Sequence, residues 1–175
     1  MVSAANNINN TDDAQLTSLC TYLYAIFAAS MLLQMTFATL VLGLIAMIAV
    51  LVIAYMNRKK LSDTSVFKSH FDWIIRTFWI GTGVYLPLCV VVMVAAILKF
   101  VDLEGLSNLV LNQAETSAVD PQAIIDTFLD QNGKAVKIIM GATGGPFLLW
   151  WFLRCWRGYS LLRKGLPLTQ VRSWL

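Results

Sequence analysis

Apolar and charged residues fall in long separate blocks along the chain. From Ala14 to Asn57 there is no charged residue. The apolar stretch Leu16 to Tyr55 would measure about 60 Å as one helix, against a hydrocarbon core of about 30 Å. Two spans, Leu16–Met35 and Phe37–Met56, fit that thickness. The bend is expected near Ser30, Gln34 and Thr36, the most polar point of the middle, although no Gly or Pro marks a turn there. The alternative is a single long, tilted helix that projects from the membrane.

A basic loop follows, with Arg58, Lys59, Lys60 and Lys68. The third apolar run goes from Phe71 to Val101, too long for an upright span. Its first turns mix His70, Asp72 and Arg76 with Phe71, Trp73, Ile74 and Ile75, a two-faced pattern expected to enter through the headgroup layer. Gly81, Gly83 and Pro87 lie in its middle. A proline inside a span removes a backbone hydrogen bond, so a kink is expected near Tyr85–Pro87.

Residues 102–133 are expected to form an amphipathic helical insertion outside the membrane. Asp120-Pro121 reads as a helix start, and Gly133 as its stop. Ile124, Ile125, Phe128 and Leu129 recur at helical spacing and offer an apolar docking face. The stretch Leu103–Leu111 is similarly two-faced. The last span runs roughly from Ala135 to Trp156. It holds Gly141 and Gly145 four apart, then Pro146. Trp150, Trp151 and Trp156 are placed as an interfacial belt would be. The organisation read from the pattern is a polar segment 1–15, three spans in 16–101, the insertion 102–133, a fourth span 134–158, and a basic interfacial tail 159–175. The fold class is all-α, a polytopic transmembrane helix bundle of about four spans.

Composition agrees with the pattern. Of 175 residues 58% are hydrophobic and 13% charged, about half the charged share of a soluble domain. Too few polar groups exist to cover a soluble surface, which excludes a soluble enzyme, a disordered chain and a disulfide scaffold. Residues 1–15 carry no Lys or Arg and precede an apolar run longer than a signal peptide's, so the chain reads as uncleaved. The net charge of +3 is too small to argue for nucleic acid. Its distribution sets the topology. Ten of the 13 Lys and Arg lie in 57–76 and from Arg154 onward, whereas 99–137 is mostly acidic. The positive-inside rule puts both basic segments in the cytoplasm and the acidic insertion outside. Four spans then place both termini in the cytoplasm; three would put the amino terminus outside.

Candidate chemistry is sparse. His70 is the one histidine, and with Asp72 it offers two metal ligands where zinc usually takes three or four. No metal or cofactor is expected. An intramembrane serine protease needs a serine and a histidine deep in separate spans, and G-x-S-x-G does not occur. GATGG lacks the G-K-[ST] ending of a phosphate loop. Gly81, Gly83, Pro87, Gly141, Gly145 and Pro146 therefore read as helix-packing or hinge positions, because small residues let transmembrane backbones approach closely. Asp72 and Arg76, one turn apart, pair on one helix face and with His70 form an interfacial charge anchor; Arg154 and Arg157 are alternative partners for Asp72. Cys20, Cys89 and Cys155 read as free thiols. The basic segments attract anionic lipid headgroups.

Three segments together carry a resemblance: IAYMNRKK (53–60), SHFDWIIRTFWIG (69–81) and WRGYSLLRKGLPL (156–168). In this order they resemble the Tic20-like family of small bacterial inner-membrane proteins, over about 100 of the 175 residues. The matching positions are Ser69, His70, Phe71, Arg76, Thr77, Phe78 and Trp79, then Arg157, Gly165 and Pro167. The resemblance implies a helical protein of about four spans in the bacterial inner membrane, without a catalytic residue. Relatives include a chloroplast protein-import component and magnetosome membrane proteins. The chain departs from the family in its long 102–133 segment, and in SMLLQMTF where a glycine-rich turn would stand. The expectation is a non-enzymatic accessory, scaffold or assembly subunit that associates with other membrane subunits or with itself. The alternative is a component of a transport or translocation channel.

Overall fold

A computed structural model describes residues 2–115 and 121–168. The elements are α1 (Val2–Leu33), α2 (Phe37–Arg58), α3 (Val66–Ile80), a π-helical turn (Gly81–Tyr85), α4 (Leu86–Phe100), α5 (Leu103–Glu115) and α6 (Pro121–Arg163). No strand occurs among the described residues. Four segments are long and apolar enough to cross a membrane: Asp13–Leu33, Ala38–Arg58, Val66–Phe100 and Pro121–Arg163. The fold is an all-α, multi-pass membrane architecture.

The 40-residue apolar run does divide into two helices, and polar side chains make the break. Backbone groups freed inside lipid need new partners. Gln34 Nε2 donates to the Ser30 carbonyl (3.1 Å), and Thr39 Oγ1 donates to the Leu33 carbonyl, which the end of α1 exposes. The Thr36 and Thr39 hydroxyls bond each other at 2.6 Å. One turn further, Gly43 lets α2 close on α1: a Cβ there would lie 2.7 Å from the Ser30 carbonyl oxygen. The turn thus needs no Gly or Pro at its corner. It needs a glycine a turn later, where the helices touch.

The expected kink takes the form of a π turn. Pro87 has no N–H, and its ring crowds the carbonyl four residues earlier, that of Gly83. The five-residue turn Gly81–Tyr85 widens the helix just there. Asp63, in the loop before α3, forms an ion pair with Lys68 in the first turn of α3. The Lys68 ammonium holds the Asp63 carboxyl below its ordinary range.

The 102–133 segment differs from expectation. α5 begins as predicted, with the Gly105 amide donating to Asp102 Oδ1 at 2.8 Å in an N-cap. Gly133 does not stop a helix, because α6 runs unbroken from Pro121 to Arg163. A glycine inside a helix costs only about 1 kcal/mol, which the flanking helix-compatible residues absorb. Asn132 is tied down instead, its Oδ1 accepting the Asp102 amide at 3.1 Å. Pro121 opens α6 as the sequence predicts, while the expected cap Asp120 and the tail beyond 168 lie outside the described residues.

The chain divides into two compact units. One comprises α1, α2, α3 and the carboxyl-terminal part of α6; the other comprises α4, α5 and the amino-terminal part of α6. In the first, α3 is the most enclosed element, with His70, Phe71, Trp73, Ile74, Ile75, Thr77 and Ile80 buried. Cys20, Leu23, Tyr24 and Phe27 of α1 form a stripe at helical spacing that is also buried, and Tyr24 meets His70 of α3. In the second unit α4 has no buried residue. Cys89 Sγ there donates to the Thr143 carbonyl at 3.5 Å.

Candidate functional site

The buried polar side chains of the first unit gather between α1, α3, α6 and the turn after α6. His70 is fully buried. Its Nε2 lies 3.1 Å from the Leu166 carbonyl oxygen, which can only accept, so Nε2 carries the proton. Nδ1 is then the acceptor for the Tyr24 hydroxyl, also at 3.1 Å. The neutral imidazole satisfies both neighbours. Beside it the Ser69 hydroxyl donates to the Val66 carbonyl (2.6 Å) and accepts the Leu168 amide (3.0 Å). These bonds tie the segment after α6 back onto the start of α3.

The chain can reach that position because α6 ends in a tight turn. Gly165 has φ +64°, a conformation that favours glycine. Its amide donates to the Leu162 carbonyl, and the Leu166 amide to the Leu161 carbonyl, so the end of the helix is satisfied. Gly158, two turns earlier, is required for another reason. A Cβ there would lie 2.4 Å from the Tyr24 hydroxyl oxygen.

A second group continues along α3. Trp73 Nε1 donates to the Arg154 carbonyl (3.0 Å), Arg154 Nε donates to Thr77 Oγ1 (3.0 Å), and the Thr77 hydroxyl donates to the Trp73 carbonyl (2.7 Å). The Arg154 guanidinium carbon lies 3.8 Å from the Trp73 ring centroid, a cation–π geometry. Arg154 is buried. By sequence it counts among the basic cytoplasmic residues and as an alternative partner for Asp72; the structure places it inside the unit, packed on aromatic rings. Trp150 and Trp151 are likewise core residues and not part of a belt, whereas Trp156 is 69% exposed. Gly81 explains the difference. A Cβ on it would be 2.7 Å from the Trp151 ring, so the glycine opens the space that the indole fills.

The expected anchor residues separate. Asp72 pairs with Arg58 of α2, Arg76 lies half-buried on α3, and His70 faces Tyr24. Tyr55 accepts the Trp79 Nε1 proton at 2.9 Å. The remaining glycines differ from Gly81. A Cβ on Gly83, Gly141, Gly144 or Gly145 would meet nothing within 4 Å. Pro146 sits within α6 and Pro87 at the start of α4. On the expected docking face Ile125 and Leu129 are exposed, and Ile124 and Phe128 are half-buried.

Sequence reasoning missed Tyr24, Trp73, Thr77, Arg154 and Gly158 as members of this cluster, and Gly43 at the contact between α1 and α2. The readable signal was the isolated glycines among bulky residues. Among the described residues no group of three or more His, Cys, Asp or Glu is placed to hold a metal ion. Cys20, Cys89 and Cys155 are free thiols.

The hydrogen bonds of this cluster join α1, α3, α6 and the segment after α6. Tyr24→Phe would strand the buried His70 Nδ1 and is expected to cost about 1–3 kcal/mol. In a His70→Phe background the same change should cost nothing. Reversible unfolding in mixed micelles reads both. The three segments that carry the family resemblance meet here, through Tyr55–Trp79, Arg58–Asp72, His70–Leu166 and Ser69–Leu168. No protein-family model, curated protein or solved structure matches the chain.

Proposed function

We propose that the protein is a non-enzymatic accessory or assembly subunit of a larger complex in the bacterial inner membrane, with both termini in the cytoplasm. One contrast among the glycines carries this reading. Gly43, Gly81 and Gly158 are filled by the chain's own atoms, while Gly141, Gly144 and Gly145 face open space on α6. Small residues favour helix association by letting another backbone come close. The exposed Ile138 and Met140 flank the open glycines with apolar contact area. In lipid such a face gains packing only from another helix.

The buried polar groups around His70 and Arg154 support the same reading, since hydrogen bonds from them join the chain's own segments. The resemblance to Tic20-like membrane proteins points to the same class. Both basic segments meet through the His70–Leu166 and Ser69–Leu168 contacts, which supports a shared cytoplasmic face.

Co-purification after mild detergent extraction tests the proposal. The wild-type chain should retain membrane-protein partners, or further copies of itself. Gly141→Leu with Gly145→Leu should lose them while keeping wild-type melting behaviour, because both substitutions point into open space. A clean monomer from native membranes, or partners indifferent to the double substitution, would count against it.

A further inference from the structure

Two hollows in the first unit adjoin one another along α6 and differ in chemistry. The first, about 350 Å³, lies between α1 and α6, with Ala25 and Ala28 on one wall and Phe152 and Cys155 on the other. Its surface is apolar. The hydroxyls on its α1 side are already engaged, Thr21 donating to the Thr17 carbonyl and Tyr24 to His70. The second, about 310 Å³, is of mixed polarity and adds Ser160, Arg163 and Lys164 to its lining. Trp156 and Tyr159 line both, so the hollows are contiguous.

We propose that these two hollows form one binding site for an anionic phospholipid, with an acyl chain in the apolar trough and the phosphate over Arg163 and Lys164. Three observations carry this. First, the polarity changes along α6 in the order a lipid changes along its own length. Second, the depth fits. From Phe152 to Arg163 the helix rises about 16 Å, close to half of a hydrocarbon core of about 30 Å, which is the reach of one leaflet. Third, the charge fits. Among the described residues the two ion pairs are Arg58–Asp72 and Lys68–Asp63, and neither uses Arg163 or Lys164. The turn at Gly165 engages the Leu161 and Leu162 carbonyls at the same end of α6. Exposed Trp156 and half-buried Tyr159 stand between the two regions, where amphipathic rings sit at the headgroup level.

The basic segments attract anionic lipid in general. The trough adds a fixed place for one molecule, with a chain held between helices. Two cations at the membrane surface give a preference of roughly 30-fold for an anionic over a zwitterionic headgroup.

Native mass spectrometry of the full chain in mild detergent tests the site. Phosphatidylglycerol and phosphatidylcholine of identical chains are offered together. One phosphatidylglycerol should be retained, with roughly the 30-fold preference estimated above. Arg163→Gln with Lys164→Gln should reduce that preference to near unity, and Lys59→Gln with Lys60→Gln should leave it intact. Ala28→Leu, which fills the trough, should lose the lipid while Arg163 and Lys164 remain. Melting curves verify that each variant folds. Millimolar inorganic phosphate should not displace the lipid. Equal retention of the two lipids overturns the proposal. So does a preference that follows Lys59 and Lys60, retention in the filled trough, displacement by inorganic phosphate, or a second copy of the chain crosslinked at Ala25 in place of lipid.

Discussion

Trp151→Ala is expected to lower stability in micelles by about 3 kcal/mol, the lower end of what soluble cores lose on such a change. The lower end applies because lipid is as apolar as the protein interior. The transfer component largely vanishes, and the lost packing remains. Trp151 is fully buried, packs at a tilt against Phe27 with ring centroids 4.5 Å apart, and donates Nε1–H to the Phe27 carbonyl at 3.3 Å. It also fills the space over Gly81. Gly81→Ala is the complementary insult. Its Cβ would meet an indole that cannot retreat, at an expected cost of about 1–3 kcal/mol. Combined, the two changes should cost less than their sum, since the added methyl meets no indole in the Trp151→Ala background. Additive losses in the double-mutant cycle would show that Gly81 and Trp151 are not a fitted pair.

Arg154→Ala should be nearly as damaging, at about 3 kcal/mol, while Arg154→Met should cost less than about 1.5 kcal/mol. The guanidinium fills volume against Trp73 and Trp150, at 3.8 Å and 5.4 Å from their ring centroids. Alanine empties that volume. Methionine keeps most of it and removes a buried charge, which offsets part of the lost attraction to the rings. Thr77 loses a donor in either variant, but its own hydroxyl still reaches the Trp73 carbonyl. Near-ultraviolet circular dichroism of the tryptophans, with the unfolding midpoint, separates the two variants. Equal losses would mean that charge and hydrogen bonding, and not volume, hold the cluster.

Much of this fold is written in the length of its apolar blocks. The turn between α1 and α2 follows from span arithmetic and from Ser30, Gln34 and Thr36, and the flaw before Pro87 follows from proline chemistry. What could not be read is which neighbours the helices choose. In a uniformly apolar run such as Leu16–Tyr55, periodicity vanishes, because lipid-facing and protein-facing positions are equally greasy. Tyr24 therefore looks no different from Tyr22, although one is buried against His70 and the other is exposed. Arg154 misled for a related reason. A single cation near the end of a span reads as the edge of the membrane, and only the Trp73 ring and Thr77 hydroxyl on α3 explain how it is buried. Gly133 misled because a local stop signal yields to a long helix on both sides. Gly141 and Gly145 share the spacing of a packing motif, yet the glycines against which other helices of the chain pack are Gly43, Gly81 and Gly158.

A four-span topology stands or falls on which compartment each connection faces. A reporter active only in the cytoplasm, fused in turn at residues 35, 62, 117 and 168 of the full chain, measures this directly. Four spans with a cytoplasmic amino terminus predict activity at 62 and 168 and none at 35 and 117. Activity at 35, or opposite results at 62 and 168, would contradict that arrangement.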